Sequence, residues 1–234
     1  MVLPNTSYED IFLQMENEKD KVRYYLNKGV GEMYKKFIAK PKKGLNIASS
    51  YCTIPVSHNR YAFLYHTTLE ELVLNKNINC IPFLVVEDFR ERDFFFCNFS
   101  PNKASIQQFT SHFLKRYRER VIKDDTISTE NVLLTYLIRN VNKANVTLLQ
   151  EDKIIAKREK HRGAKAILME DGVVFFQFQH TALPSGKKLH TLRYKTFLSH
   201  DMLKDSQNSH IQDILFEIEK EENARFLILP DEKK

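Results

Sequence analysis

The hydrophobic pattern of this chain changes period several times along its length, and that alternation limits what it can fold into. Tyr8, Ile11, Phe12, Met15, Val22 and Tyr25 recur at helical spacing behind a candidate N-cap at Ser7, with Asp10 three residues on. Gly29 and Gly31 interrupt the pattern, residues 33–38 can resume it, and Pro41 with Gly44 ends it. From residue 45 to about 100 the texture is β-branched and aromatic. Residues 51–54 and 61–65 read as a hairpin, 68–74 as a short helix, and 81–86 and 94–99 as two further strands. The continuous apolar runs of those last two call for burial on both faces, or for a face covered by helices. Helical period returns over 104–123, and again from Ser128 or Thr129 to about Asn142. Strand texture then fills 145–149, 153–158, 165–169, 173–179 and 191–198, with Asp171-Gly172 and Pro184-Ser185-Gly186 as turns. Ser209 is placed to cap a last helix carrying Ile211, Ile214, Leu215 and Ile218, and 226–229 is a short apolar run that can dock on the core or on another chain.

A run of strands after helices fits an α+β architecture better than regular βαβ alternation. The expected arrangement is an N-terminal helix plus a small sheet, then two helices packed on an antiparallel sheet, then a C-terminal helix. Pro101 divides an α/β part of unassigned role (1–100) from a helix-then-sheet part (101–234), as two domains or as one continuous core.

Composition narrows the classes. With 234 residues, 42% hydrophobic and 28% charged, the chain can bury a core without disulfides or metal. Its longest apolar runs, such as 173–176 and 94–97, are far too short to span a bilayer, and its polar N-terminus is unlike a signal peptide. Cys52, Cys80 and Cys97 are odd in number and widely spaced, which argues against a disulfide framework. The expectation is a soluble cytoplasmic protein. Six glycines leave no phosphate loop, and HExxH, EF-hand, zinc-finger and G-x-S-x-G patterns are absent from the sequence. No metal or cofactor is expected. The charge is uneven: 112–165 carries thirteen Lys/Arg against seven Asp/Glu, and 201–234 five against nine. A basic middle of that kind suits a polyanionic partner, or simply decorates solvated helix faces.

One constellation stands out. On a helical wheel of 104–123, Ile106, Phe113, Tyr117 and Val121 share a face, while His112, Arg116 and Arg120 form a stripe running into it. A guanidinium held there must be paired or must face a polar cleft. Two readings follow. Arg116 and Arg120 can pin the helix to carboxylates or carbonyls of the sheet, or an imidazole and two guanidiniums can line a cleft for a phosphate oxyanion.

The spacing His112-x3-Arg116-x2-Glu119-Arg120 resembles the signature that opens RelE-like domains of the barnase–EndoU–colicin–RelE ribonucleases. The resemblance covers roughly residues 104–205 and leaves the first hundred unaccounted for. It implies metal-independent cleavage of RNA by the neighbouring 2′-hydroxyl. His112 would act as general acid or base, Arg116 and Arg120 would stabilise charge, and Thr196 of the last strand would orient a phosphate oxygen. Arg193 and Lys195 would supply further charge along that strand.

Separately, Lys157, Arg158, Lys160, His161, Arg162 and Lys165 form a basic run able to track a phosphate backbone. His180 and His190 flank the Pro184 turn, two ligands short of a metal site. Three functions stay open: an RNA-directed protein, including a ribonuclease of the toxin type; a non-catalytic module for nucleic acid or an acidic protein partner; or a structural protein in which the His–Arg helix is architectural.

Overall fold

The computed structural model describes residues 1–88, 91–100, 103–140, 148–149, 164–169 and 171–202. Its first element is α1 (Tyr8–Ala39), which Ser7 caps by accepting from the Asp10 amide. Then come β1 (Leu45–Thr53), β2 (Arg60–Thr68), the short α2 (Leu69–Leu74), β3 (Asn79–Asp88), β4 (Glu91–Ser100) and β5 (Lys103–Phe109). Thr68 and Glu71 close a reciprocal capping box at α2. The second half holds α3 (Ser111–Tyr117), a π-helical turn (Arg118–Ile122), α4 (Thr129–Asn140), β6 (Leu148–Leu149), β7 (Ala164–Met169), β8 (Gly172–Ala182), β9 (Lys188–Ser199) and a 3-10 turn (His200–Met202). The mixed α/β content agrees with the sequence reading. The expected strand at 153–158, the Ser209 helix and the 226–229 run lie outside the described residues.

Among the described residues, nine strands form one sheet in the order β1-β2-β3-β4-β5-β9-β8-β7-β6. Every neighbouring pair is antiparallel except β5 with β9, which runs parallel from Ala104↔Leu189 to Phe109↔Tyr194. Strands from the two sides of Pro101 therefore share one hydrogen-bonded sheet.

The apolar runs are explained by helices on both faces. In β2, Tyr61, Phe63 and Tyr65 pack under α1, whereas Ala62 and Leu64 face α4. In β3, Leu84 and Val86 face α1 and Phe83 and Val85 face the other way, and β4 divides Phe95 and Cys97 from Phe94 and Phe96 in the same manner. With period 2 and both sides dry, alternation between apolar and polar disappears from the sequence.

The helix expected over 104–123 is wrong in its first third. Residues 103–109 are β5, and α3 begins only at Ser111, after the Thr110 cap. Ile106 is buried in the α1-side core and Phe109 in the α3-side core. Their three-residue spacing, which looked helical, instead places them on opposite sides of a strand. Gly29 and Gly31 do not break α1. Gly29 is there for another reason: a Cβ at this position would overlap the hydroxyl of the fully buried Tyr65, itself 3.0 Å from Ser50 Oγ.

Glu18 anchors α1 to the sheet. Its buried carboxylate accepts from Tyr61 Oη (2.6 Å), Gln14 Nε2 (2.8 Å) and Asn59 Nδ2 (3.0 and 3.1 Å). Burial by itself would raise its pKa, but the hydrogen bonds from Ser57, Tyr61, Gln14 and Asn59 outweigh it and hold the group below the ordinary carboxylate range.

Two outcomes are expected in urea unfolding. Gly31→Ala, with open space around it, gains about 0.5–1 kcal/mol of helix propensity, whereas Gly29→Ala loses about 1–3 kcal/mol to overpacking and is partly rescued by Tyr65→Phe. Because Glu18 has a folded pKa below its unfolded one, its contribution is complete above the unfolded pKa and is lost as pH falls through the folded value. Wild-type stability therefore drops as pH falls below the ordinary carboxylate range, and Glu18→Gln, less stable at pH 7, drops less there.

Candidate nucleic-acid interface

Thr110 joins strand to helix. Its hydroxyl accepts from the Phe113 amide and donates to the Tyr194 carbonyl of β9 at 2.8 Å, so the first turn of α3 is tied to that strand. Phe113 then lies against Tyr194 (ring centroids 5.5 Å) and Tyr117 against Phe197 (5.1 Å), so α3 follows β9 from Tyr194 onward. Along α3 and the π turn, His112 is exposed, and Arg116 is partly exposed and pairs with Glu119 at 2.8 Å. Arg120, in the wider π turn, donates through Nη1 to the Phe197 carbonyl. Burial first, and then the charge of Arg116, lower the Arg120 pKa against the opposing pull of Glu119 and Asp201. Arg120 thus fastens the helix to a sheet carbonyl.

Thr196 is elsewhere. Tyr194 and Phe197 both face α3, and an irregularity between Phe175 and Phe176 leaves Lys195 as an extra residue in β9. Lys195 and Thr196 between them point to the opposite side of the sheet, the side of α1. Arg193, one residue before Tyr194, points there too. His112, Arg116 and Arg120 share one side of the sheet, and the hydroxyl and cations named with them occupy the other. Lys165 lies in β7, and Lys157, Arg158, Lys160, His161 and Arg162 lie outside the described residues.

The fold assembles a different surface, which spacing did not reveal. Residues 94–118 and 172–200 contain no Asp or Glu at all, and they carry Lys103, Lys115, Arg116, Arg118, Lys187, Lys188, Arg193 and Lys195. Those eight cations exceed the whole chain's net charge of +6, so the remainder nets −2. The parallel β5–β9 ladder puts the two stretches side by side: β5, β9 and β8 are adjacent and free of carboxylates. Of the four acids that border these stretches, Asp93 and Asp171 are drawn inward, while Glu119 and Asp201 are exposed. Asp171, with a side chain 5% exposed, bonds Arg139 (2.6 Å), Tyr117 Oη (2.5 Å) and Asn140 Nδ2 (3.2 Å). Asp93 accepts from the Ser111 amide (2.8 Å) and from Gln108 Nε2 (2.5 Å).

On the α3 side of this surface, the outer halves of β8 and β9 lie beyond the helix. Phe178 pairs in register with Leu192, and His180 with His190. Phe178 is 36% exposed, and its ring stacks on His190 (centroids 5.8 Å, planes 19° apart), with His180 6.5 Å from His190. Lys187 and Lys188 at the turn are exposed, while Leu183 and Leu189 bury on the α1 side and hold the hairpin in place. The absence of acids from 172–200 was readable in the sequence; that Phe178 is not core required the fold. No group of three His, Cys, Asp or Glu residues suited to a metal occurs among the described residues.

Comparison with family models, with curated proteins and with solved structures returned no match.

Asp171→Ala should cost about 2–3 kcal/mol in chemical denaturation, since it strands the Tyr117 hydroxyl and releases the β7–β8 turn from α3 and α4. An unchanged midpoint would contradict the anchoring role.

Proposed function

We propose that this protein binds single-stranded RNA on the carboxylate-free face of β8 and β9, without cleaving it. The observation that carries the reading is the juxtaposition of an exposed Phe178–His190 stack with Lys187 and Lys188 on strands that carry no carboxylate. An exposed aromatic ring receives a base by stacking, worth about 1–3 kcal/mol per base, and the flanking ammonium groups neutralise phosphates. Leu192, half-buried beside Phe178, widens the apolar floor. His112 and Arg116 lie on the same side of the sheet, at the end of the floor where α3 begins, with Arg116 paired to Glu119. The resemblance of His112-x3-Arg116-x2-Glu119-Arg120 to RNA-acting domains supports RNA as the polymer. Cleavage is left out of the proposal because the sheet stands between Thr196 and the helix stripe, and Arg120 is engaged by Phe197.

Fluorescence anisotropy with a labelled single-stranded RNA tests the reading. Phe178→Ala should weaken binding by about 5- to 150-fold, consistent with one lost stacking contact. Replacing Lys187 and Lys188 with Gln should lower the salt dependence of log K by about 1.4, the value for two phosphates on a single strand. RNA length should be unchanged after incubation, equally for wild type and His112→Ala. Binding insensitive to Phe178→Ala, tighter binding of duplex DNA, capture of acidic protein with no RNA affinity, or cleavage abolished by His112→Ala would each overturn it.

A further inference from the structure

On the opposite face of the sheet, beside the first turn of α1, a chain of polar groups is hydrogen-bonded within itself, and the nearby Arg193 charge acts on its Asp93 and Tyr8 without an ion pair. Tyr8 Oη donates to Gln108 Oε1, Gln108 Nε2 donates to Asp93 Oδ2 at 2.5 Å, and the Ser111 amide donates to Asp93 Oδ1 at 2.8 Å. Arg193 stands directly opposite Gln108 in the β5–β9 ladder and opposite Gln177 in the β8–β9 ladder. The Asp93 oxygens and the Gln108 carbonyl are already engaged. The buried Nε of Arg193 has no hydrogen-bond partner, and no ion pair reaches its guanidinium among the described residues.

Lys195, two residues on, adds a second charge on the same side of β9. Lys195 points opposite to Tyr194, as in a regular strand, and the extra residue brings Thr196 to the same side while Phe197 returns to α3. Burial and the proximity of Arg193 lower the Lys195 pKa, the mark of a cation held near a like charge. Lys195 forms no ion pair among the described residues either. Two neighbouring cations with a buried, unsatisfied N–H call for an acceptor that brings its own negative charge and several oxygens, and a guanidinium fork matches a tetrahedral oxyanion.

We propose that Arg193 and Lys195 form a binding site for a phosphate group, with the half-buried side chain of Arg193 as its floor and Lys195 at its rim. The site lies across the sheet from the RNA-binding face and rests on separate observations. Both arginine and lysine are reachable from solvent, since each residue is only partly buried.

Isothermal titration with inorganic phosphate, at ionic strength matched with chloride, tests this. Wild type should bind phosphate, Arg193→Gln should abolish the binding, and Lys195→Gln should weaken it about tenfold. Lys188→Gln, on the other face, should leave the phosphate Kd unchanged. Repeating the titration with adenosine 5′-monophosphate and with adenosine tells whether the phosphate is free or carried on a nucleotide; the nucleoside should not bind. No phosphate-specific heat in wild type, or an unaltered Kd in Lys195→Gln, overturns the site, the latter even where Arg193→Gln fails to fold. Phe178→Ala should bind phosphate normally, so that failure here and failure of the RNA reading are told apart.

Discussion

Among the described residues, the β5–β9 ladder is the one parallel pairing in a sheet otherwise built from antiparallel neighbours, and it joins segments more than eighty residues apart. One side of it is the meander β1 to β5, the other the meander β6 to β9. Tyr194 stacks on Phe109 across it at 4.4 Å with planes 9° apart, and those two rings begin the aromatic cluster of Phe113, Tyr136, Tyr117 and Phe197 that seats α3 and α4. A parallel pair cannot be closed by a tight turn and needs a long crossover. Here α3 and α4 lie in that crossover, and their packing on the sheet depends on the ladder being formed. The same ladder sets Gln108 against Arg193 and lays the two acid-free stretches next to each other.

Buried charge is handled in one consistent way. Glu18, Glu130 and Asp171 each sit almost out of solvent, and each is met by a tyrosine hydroxyl plus further donors: Tyr61 with Asn59 and Gln14, Tyr51 with Arg92, Tyr117 with Asn140 and Arg139. A buried carboxylate without such partners costs several kcal/mol, so these three mark where helices are locked to strands. The Tyr51 ring is also covered by the Arg60 guanidinium at 4.1 Å. Arg193 departs from this rule. Its Nε has no hydrogen-bond partner among the described residues, although its charge acts on the nearby Asp93.

Much of the local structure was legible. The Ser7 cap, the hairpin between β1 and β2, the short helix after Thr68, the cap at Ser128 and the turns at Asp171-Gly172 and Pro184-Gly186 all follow from short-range chemistry that a side chain imposes on its own backbone. The misreading of 104–110 has a physical origin: where a strand covered on both faces runs straight into a helix, apolar residues at 106, 109 and 113 mimic a helical repeat although they divide between two cores. The His112–Arg116–Arg120 stripe was correctly seen as unusual, and for Arg120 the reading that pins the helix to a sheet carbonyl matches the observed bond to Phe197. Thr196 could not be placed, because a single extra residue in β9 reverses the side to which everything after it points.

Sequence alone therefore determined most of the helices and strands among the described residues, where they turn, that the central strands are buried on both faces or covered by helices, and that 172–200 lacks acids. Periodicity reports the face a residue occupies relative to its own neighbours in the chain. It carries no information about which distant strand lies alongside, and that is what decided the merging of the positive surface, the exposure of Phe178 and the placing of Arg193 opposite Gln108. These follow from hydrogen bonding between remote segments, whose register is set by the packing of whole cores on both sides of the sheet and not by any local preference.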